Sequence, residues 1–182
     1  MSCTPTAFAF NKSCTPSQGG IAAVYVADPD KITPTFNNGA GTVSLAPNPA
    51  GSKPLYKWDV ADNSGSLEST AQISKANNTK YFQHILTVGL NGFGPKTAGV
   101  ELFSKLSRLA FVVEYRDGTR VFMAWSGINR DSAFLDGAEL TALVISPGTQ
   151  RDDRNGATVT AQLDSLYTLF VVSNDISAMI NS

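Results

Sequence analysis

The sequence has little of what chemistry usually needs. It contains one histidine, His84, and two cysteines, Cys3 and Cys14. A lone imidazole excludes every mechanism that requires two. A Ser-His-Asp arrangement stays open on residue counts, yet no G-x-S-x-G elbow places a nucleophile. His84 lies in "YFQHILTV", with no carboxylate beside it in sequence, and reads as a structural strand histidine. Zinc would find Cys3, Cys14 and His84 at most, without C-x-x-C spacing. No metal, cofactor or catalytic residue is expected.

Charge is also scarce. Charged residues make up 16% of the 182 and the net charge is −1. Nothing suggests the clustered Lys and Arg that displace counterions from nucleic acid. No apolar run approaches the roughly 20 residues of a membrane-spanning helix. The start, "MSCTPTAFAFNKSC", lacks the charged opening and continuous apolar stretch of a signal peptide. Synthesis and folding in a cytoplasm are expected, with the cysteines as thiols. A disulfide closing the N-terminal arm stays open for an oxidising medium. The sequons at Asn11 and Asn77 carry no weight without a secretory signal.

Other site motifs fail on spacing. "GLNGFGPKT" lacks the spacing of a phosphate-binding loop. "RDDRNG" does not continue as a calcium loop, because the twelfth position from Asp153 is Asp164. The aspartate pairs Asp28/Asp30 and Asp152/Asp153 read as turn residues.

What is present is Gly, Ser, Thr and Asn in quantity, a composition that suits strands and turns. Residues 1–18, with two Thr-Pro steps, read as an arm. Residues 19–173 read as one β domain, with a long Pro/Gly/Asn-rich loop at about 31–54 and a short strand within it. Residues 174–182 read as a tail. "GGIAAVYVADPD" is a strand buried on both faces and ended by a turn. "LYKWDVAD" alternates with period two. "GSLESTAQISKANNTKYFQHILTVGLNG" reads as two strands around Asn77-Asn78, the first half also admitting a helix. "PKTAGVELFSKLSRL" places Leu102, Phe103 and Leu106 at helical spacing after Pro95, and is the helix candidate. The expected fold is a β-sandwich or barrel of about seven or eight strands with one packed α-helix.

"RLAFVVEYRDGTRVFMAWSG", Arg108–Gly127, is a hairpin with few polar residues away from its tip. A two-residue Asp117-Gly118 turn predicts that Arg116 pairs with Thr119 and Val112 with Met123. Ala110, Val112, Met123 and Trp125 then share a face that a partner would cover. Val112, Met123, Trp125, Phe36 and Asn38 are accordingly the candidate subunit interface. A second reading makes Tyr56, Trp58 and Trp125 the lining of a ligand- or carbohydrate-binding barrel. A third, a hydrolase, rests on His84 alone.

The segments "GGIAAVYVADPDKI", "NNTKYFQHILTVGLNG", "ELFSKLSRLAFVVEYRDGTRVFMAWSG" and "GAELTALVISPGTQRDDRNGATVTAQLDS", in that order, resemble tail-tube-like virion proteins of tailed bacteriophages, especially those of Bacteroidetes hosts. The resemblance covers about Gly19 to Ser173. The long loop and the Cys-containing arm depart from the pattern. The resemblance implies a non-enzymatic subunit that closes into hexameric rings, which stack into a tube or a related tail or neck ring. It also implies DNA passing through the lumen without sequence-specific binding, contacts with other tail or neck proteins, and location in the virion after assembly in the host cytoplasm.

Overall fold

The computed structural model describes residues 20–74, 79–91, 108–127, 135–146 and 156–181. Strands account for 67% of this, and no helix of seven residues or more occurs among the described residues. The fold is mainly β, as expected, but the packed helix is not borne out; of its candidate segment, 95–109, residues 95–107 lie outside the described residues. So do the N-terminal arm with Cys3 and Cys14, and the charged turn before Gly156.

Among the described residues eleven strands form one curled sheet, a half-barrel, rather than the expected seven or eight. They are β1 Ile21–Ala27, β2 Ile32–Asn37, β3 Thr42–Pro47, β4 Leu55–Ser74, β5 Thr79–Asn91 and β6 Ala110–Tyr115, followed by β7 Arg120–Met123, β8 Glu139–Ser146, β9 Gly156–Ser165, β10 Phe170–Val172 and β11 Ile180–Asn181. The order is β2-β3-β10-β7-β6-β1-β4-β5-β9-β8, with β11 added parallel to the start of β4.

One long strand joins the two halves. The first part of β4 pairs with β1, and the part from Gly65 onward pairs with β5. The register shifts between Val60 and Gly65. Such an irregularity lets a strand bend and leave one sheet for another. Gly65 lies at this corner because a Cβ there would stand 2.9 Å from the Cβ of Ile21. At the opposite corner Leu109 bridges Ala138 through bonds of 3.0 and 2.6 Å, which ties the start of β8 to the start of β6.

Two apolar clusters result, one on each face of β1, β6 and β7. Inside the curl are Val24, Val26, Trp58, Leu86, Phe111 and Met123, among others. On the other face Ala23, Tyr25, Val112, Phe122 and Trp125 pack against β2, β3, β10 and the C-terminal segment. The period-two alternation of β1 and β6 therefore carries apolar residues in both phases.

Two expectations about local structure change, and one of two alternatives is decided. Residues 31–54 are not mainly loop: β2 and β3 form a hairpin, with Ile32 opposite Pro47 and Asn37 opposite Thr42. Pro34 is tolerated there because β2 is the outermost strand of its half. The polar segment 65–74 is strand throughout, as the first of its two readings had it. The tail is part of the domain: Ile176 and Met179 are buried, and Asn174 exchanges side-chain hydrogen bonds of 2.9 and 2.8 Å with the backbone of Leu45.

The β6–β7 hairpin forms in a different register. Phe111 pairs with Met123, Val112 with Phe122 and Glu114 with Arg120. The tip is a three-residue loop, not a two-residue one. Gly118 has φ +84°, its N–H reaches Tyr115 O at 3.0 Å, and Tyr115 N donates to Thr119 O at 2.8 Å. Asp117 Oδ1 accepts from Thr119 N at 2.8 Å. This fits a turn closed by a single left-handed glycine. A shift of one residue sends every β7 side chain to the opposite face.

Candidate functional site

The residues proposed from sequence as a shared surface do not form one. Val112 and Met123 are each 0% exposed and Trp125 is 8% exposed. The register puts Met123 inside the curl and Val112 on the other face, so the two side chains are separated by the sheet. Phe36 is half-buried and stacks on the Trp125 ring at 4.3 Å, while Tyr167 lies parallel to that ring at 5.2 Å. Only Asn38, in the β2–β3 turn, is exposed. The hairpin is covered by its own chain, and it offers no apolar face to a sister copy.

The aromatic platform also dissolves. Trp58 is buried inside the curl, edge-on to Phe111 at 6.2 Å. Trp125 is buried in the other cluster with rings on two sides. Only Tyr56 stays at the surface.

His84 is fully buried on β5. Its Nε2 lies 3.2 Å from the carbonyl of Tyr167, which can only accept, so Nε2 carries the hydrogen. Nδ1 then accepts from Ser69 Oγ at 2.8 Å. Loss of solvation on burial lowers its pKa from the usual value of 6.5, against opposing effects of the Tyr167 bond and Asp164. Both ring nitrogens are thus used in holding β4, β5 and the segment after β9 together. Ser69 lies mid-strand in a regular ladder, which supplies no converging N–H pair for an oxyanion. The arrangement is that of a neutral structural histidine. Among the described residues no group of three or more His, Cys, Asp or Glu residues is placed to hold a metal.

The surface with a consistent character is the four-stranded antiparallel half formed by β4 from Gly65 onward, β5, β9 and β8. Its inner rows, such as Leu67–Leu86–Ala161, face the core. Its outer rows run Ser66–Thr87–Thr160–Ala142, Glu68–Ile85–Gln162–Glu139 and Thr70–Gln83–Asp164. This face is Thr-, Ser- and Gln-rich. Among the described residues of these rows there are three carboxylates and no Lys or Arg.

The two borders of this half differ from the border at the other end of the sheet. β2 carries Pro34, which blunts a free edge. Among the described residues, β4 from Gly65 to Ser74 has β5 on one side only, and β8 from Ala142 to Ser146 has β9 on one side only. Neither border contains proline, and Glu68 is the one ionisable residue on the two. Ile73 on one border is 67% exposed and Val144 on the other 60%. Sequence reasoning missed these borders. Their signal was the absence of Pro and Lys from strands that alternate cleanly, a feature readable only once the edge strands are known.

The chain matches no protein-family model, no curated protein and no solved structure. No helix among the described residues is long and apolar enough to cross a membrane.

Proposed function

We propose that this protein is a non-enzymatic structural subunit of a phage virion, closing into rings that stack as a tail tube or a related tail or neck ring. The observation that carries the proposal is the four-stranded half whose two borders, among the described residues, have a strand on one side only. Unpaired edge N–H and C=O groups are templates for another strand, and proteins that remain single normally blunt them. The strand count matters as well. With four alternating strands, β4 and β8 run in opposite directions. A rotation about an axis along the strands therefore sets β8 of one copy antiparallel to β4 of the next. The contact is heterologous and closes by rotation.

In this reading the outer face lines the inside of the ring. A wall of Thr, Ser, Gln and carboxylates without cations fits a conduit that DNA must leave as readily as it enters, since counterion-releasing contacts are missing. The hexameric count and the place in the virion come from the resemblance of the sequence segments. The hairpin β6–β7 has no part in this contact; it forms the rigid centre behind it.

The test is assembly. Wild-type protein at rising concentration should sediment as rings or larger species and show annuli or tubes in negative stain. Ile73→Lys with Val144→Lys, both at exposed positions, should keep the unfolding midpoint and stay monomeric. A wild-type protein that is monomeric at high concentration, or a double variant that assembles normally, would overturn the proposal.

A further inference from the structure

A cleft of about 380 Å³ opens where the turn after β1 meets the loop that leads into β4. That volume lies in the range of small-molecule sites. Its walls are tied together. The 3-10 turn Pro29–Lys31 is capped by the Asp28 side chain, which accepts from Asp30 N at 3.1 Å. The loop is fastened to this turn by Asn48 N on Lys31 O at 2.8 Å and by Asn48 Nδ2 on Asp30 O at 3.2 Å. Ser52 N closes a turn on Pro49 O at 3.1 Å. The cleft is thus set by the free chain rather than by a ligand.

Its chemistry is specific. Pro49, Pro54 and the ring of Tyr56 supply apolar walls, and Lys31 and Lys53 bring two ammonium groups. Ser52 also lines it. Asp28 stands in the same lining. One carboxylate against two ammonium groups leaves a single positive charge in excess. That favours a monoanion over a dianionic phosphate.

From this we infer that the cleft binds a small monocarboxylate carried on an apolar body about one ring in size. The carboxylate pairs with Lys31 and Lys53, while the body packs on Tyr56 and the two prolines. The inference uses no residue of the β4 and β8 borders, and it stands or falls independently of ring formation.

Titration of the full chain with sodium benzoate, followed through backbone amide shifts, tests it. Saturable shifts at Ser52 and Lys53 are expected. Neutral benzamide and inorganic phosphate should each bind at least ten-fold more weakly. Lys31→Gln with Lys53→Gln should weaken benzoate at least ten-fold; both side chains are exposed, so the unfolding midpoint should hold. Lys57→Gln, an exposed lysine outside the lining, should change nothing. Absence of saturable shifts, equal binding of benzoate and benzamide, tighter binding of phosphate, or an unchanged affinity in the double variant would each overturn it.

Discussion

Replacing Gly137 with alanine is expected to destabilise the protein by about 3 kcal/mol, and the reason is local. Gly137 has φ +73°, a conformation that costs an L-residue about 1 kcal/mol or a little more. A Cβ there would stand 2.6 Å from Arg108 Cβ, 3.0 Å from Leu109 N and 3.1 Å from Pro29 Cγ. The first two are a Cβ and a backbone atom, which cannot swing away as a side-chain end can. Relief requires moving the chain that makes the Leu109–Ala138 bridge, and overpacking of that kind costs about 1–3 kcal/mol. Gly41 is the control: its φ is +65° and nothing lies within 4 Å of the added atom. Gly41→Ala should therefore cost only the backbone share, about 1 kcal/mol.

Urea unfolding measures both. With a slope of about 2 kcal/mol per molar, the midpoint should fall by about 1.5 M for Gly137→Ala and about 0.5 M for Gly41→Ala. Equal shifts would refute the close approach and, with it, the idea that the bridge corner is tightly packed. Because that corner fixes where β8 begins, Gly137→Ala should also weaken any assembly that uses the β8 border.

Val112→Lys and Met123→Lys should both unfold the chain, although the side chains lie on opposite faces. An unpaired buried charge costs several kcal/mol, a large part of the whole stability of a domain; a folded, soluble Val112→Lys protein by circular dichroism would contradict the enclosure of the second face. Stability should fall as pH drops below 6.5. His84 is held neutral by burial, so the unfolded chain binds the extra proton between 6.5 and the lower folded value. The urea midpoint should be flat above that window and slope downward within it, and His84→Gln should remove that slope. Iodide should quench the fluorescence of Trp58 and Trp125 only weakly, since both rings are buried; strong quenching would mean that one of them is a surface platform after all.

The candidate site was less legible than the fold. β1 with its Asp28-Pro29-Asp30 turn, the β4–β5 pair and the position of the β6–β7 tip can all be read from alternation and turn residues. The hairpin register cannot. Asp-Gly serves both a two-residue turn and the end of a three-residue turn, because glycine takes φ above zero in either. That single ambiguity moved Met123 across the sheet. Pro34 and Pro47 misled in the same way: proline counts against a strand only where its missing N–H is needed, and edge position is a tertiary property.

What the sequence by itself determined was a mainly β chain, poor in reactive side chains, with strands where apolar residues alternate and turns where Gly, Asn, Asp and Pro gather. Those are local effects of φ preference and side-chain period. Only the tertiary structure decided what covers the β6–β7 hairpin: β2, β3, β10 and the tail on one side, the curl of β4, β5 and β9 on the other. These segments come from far apart along the chain. A strand rich in apolar residues on both faces specifies that both must be covered, but it carries no information about whether the cover is its own chain or another.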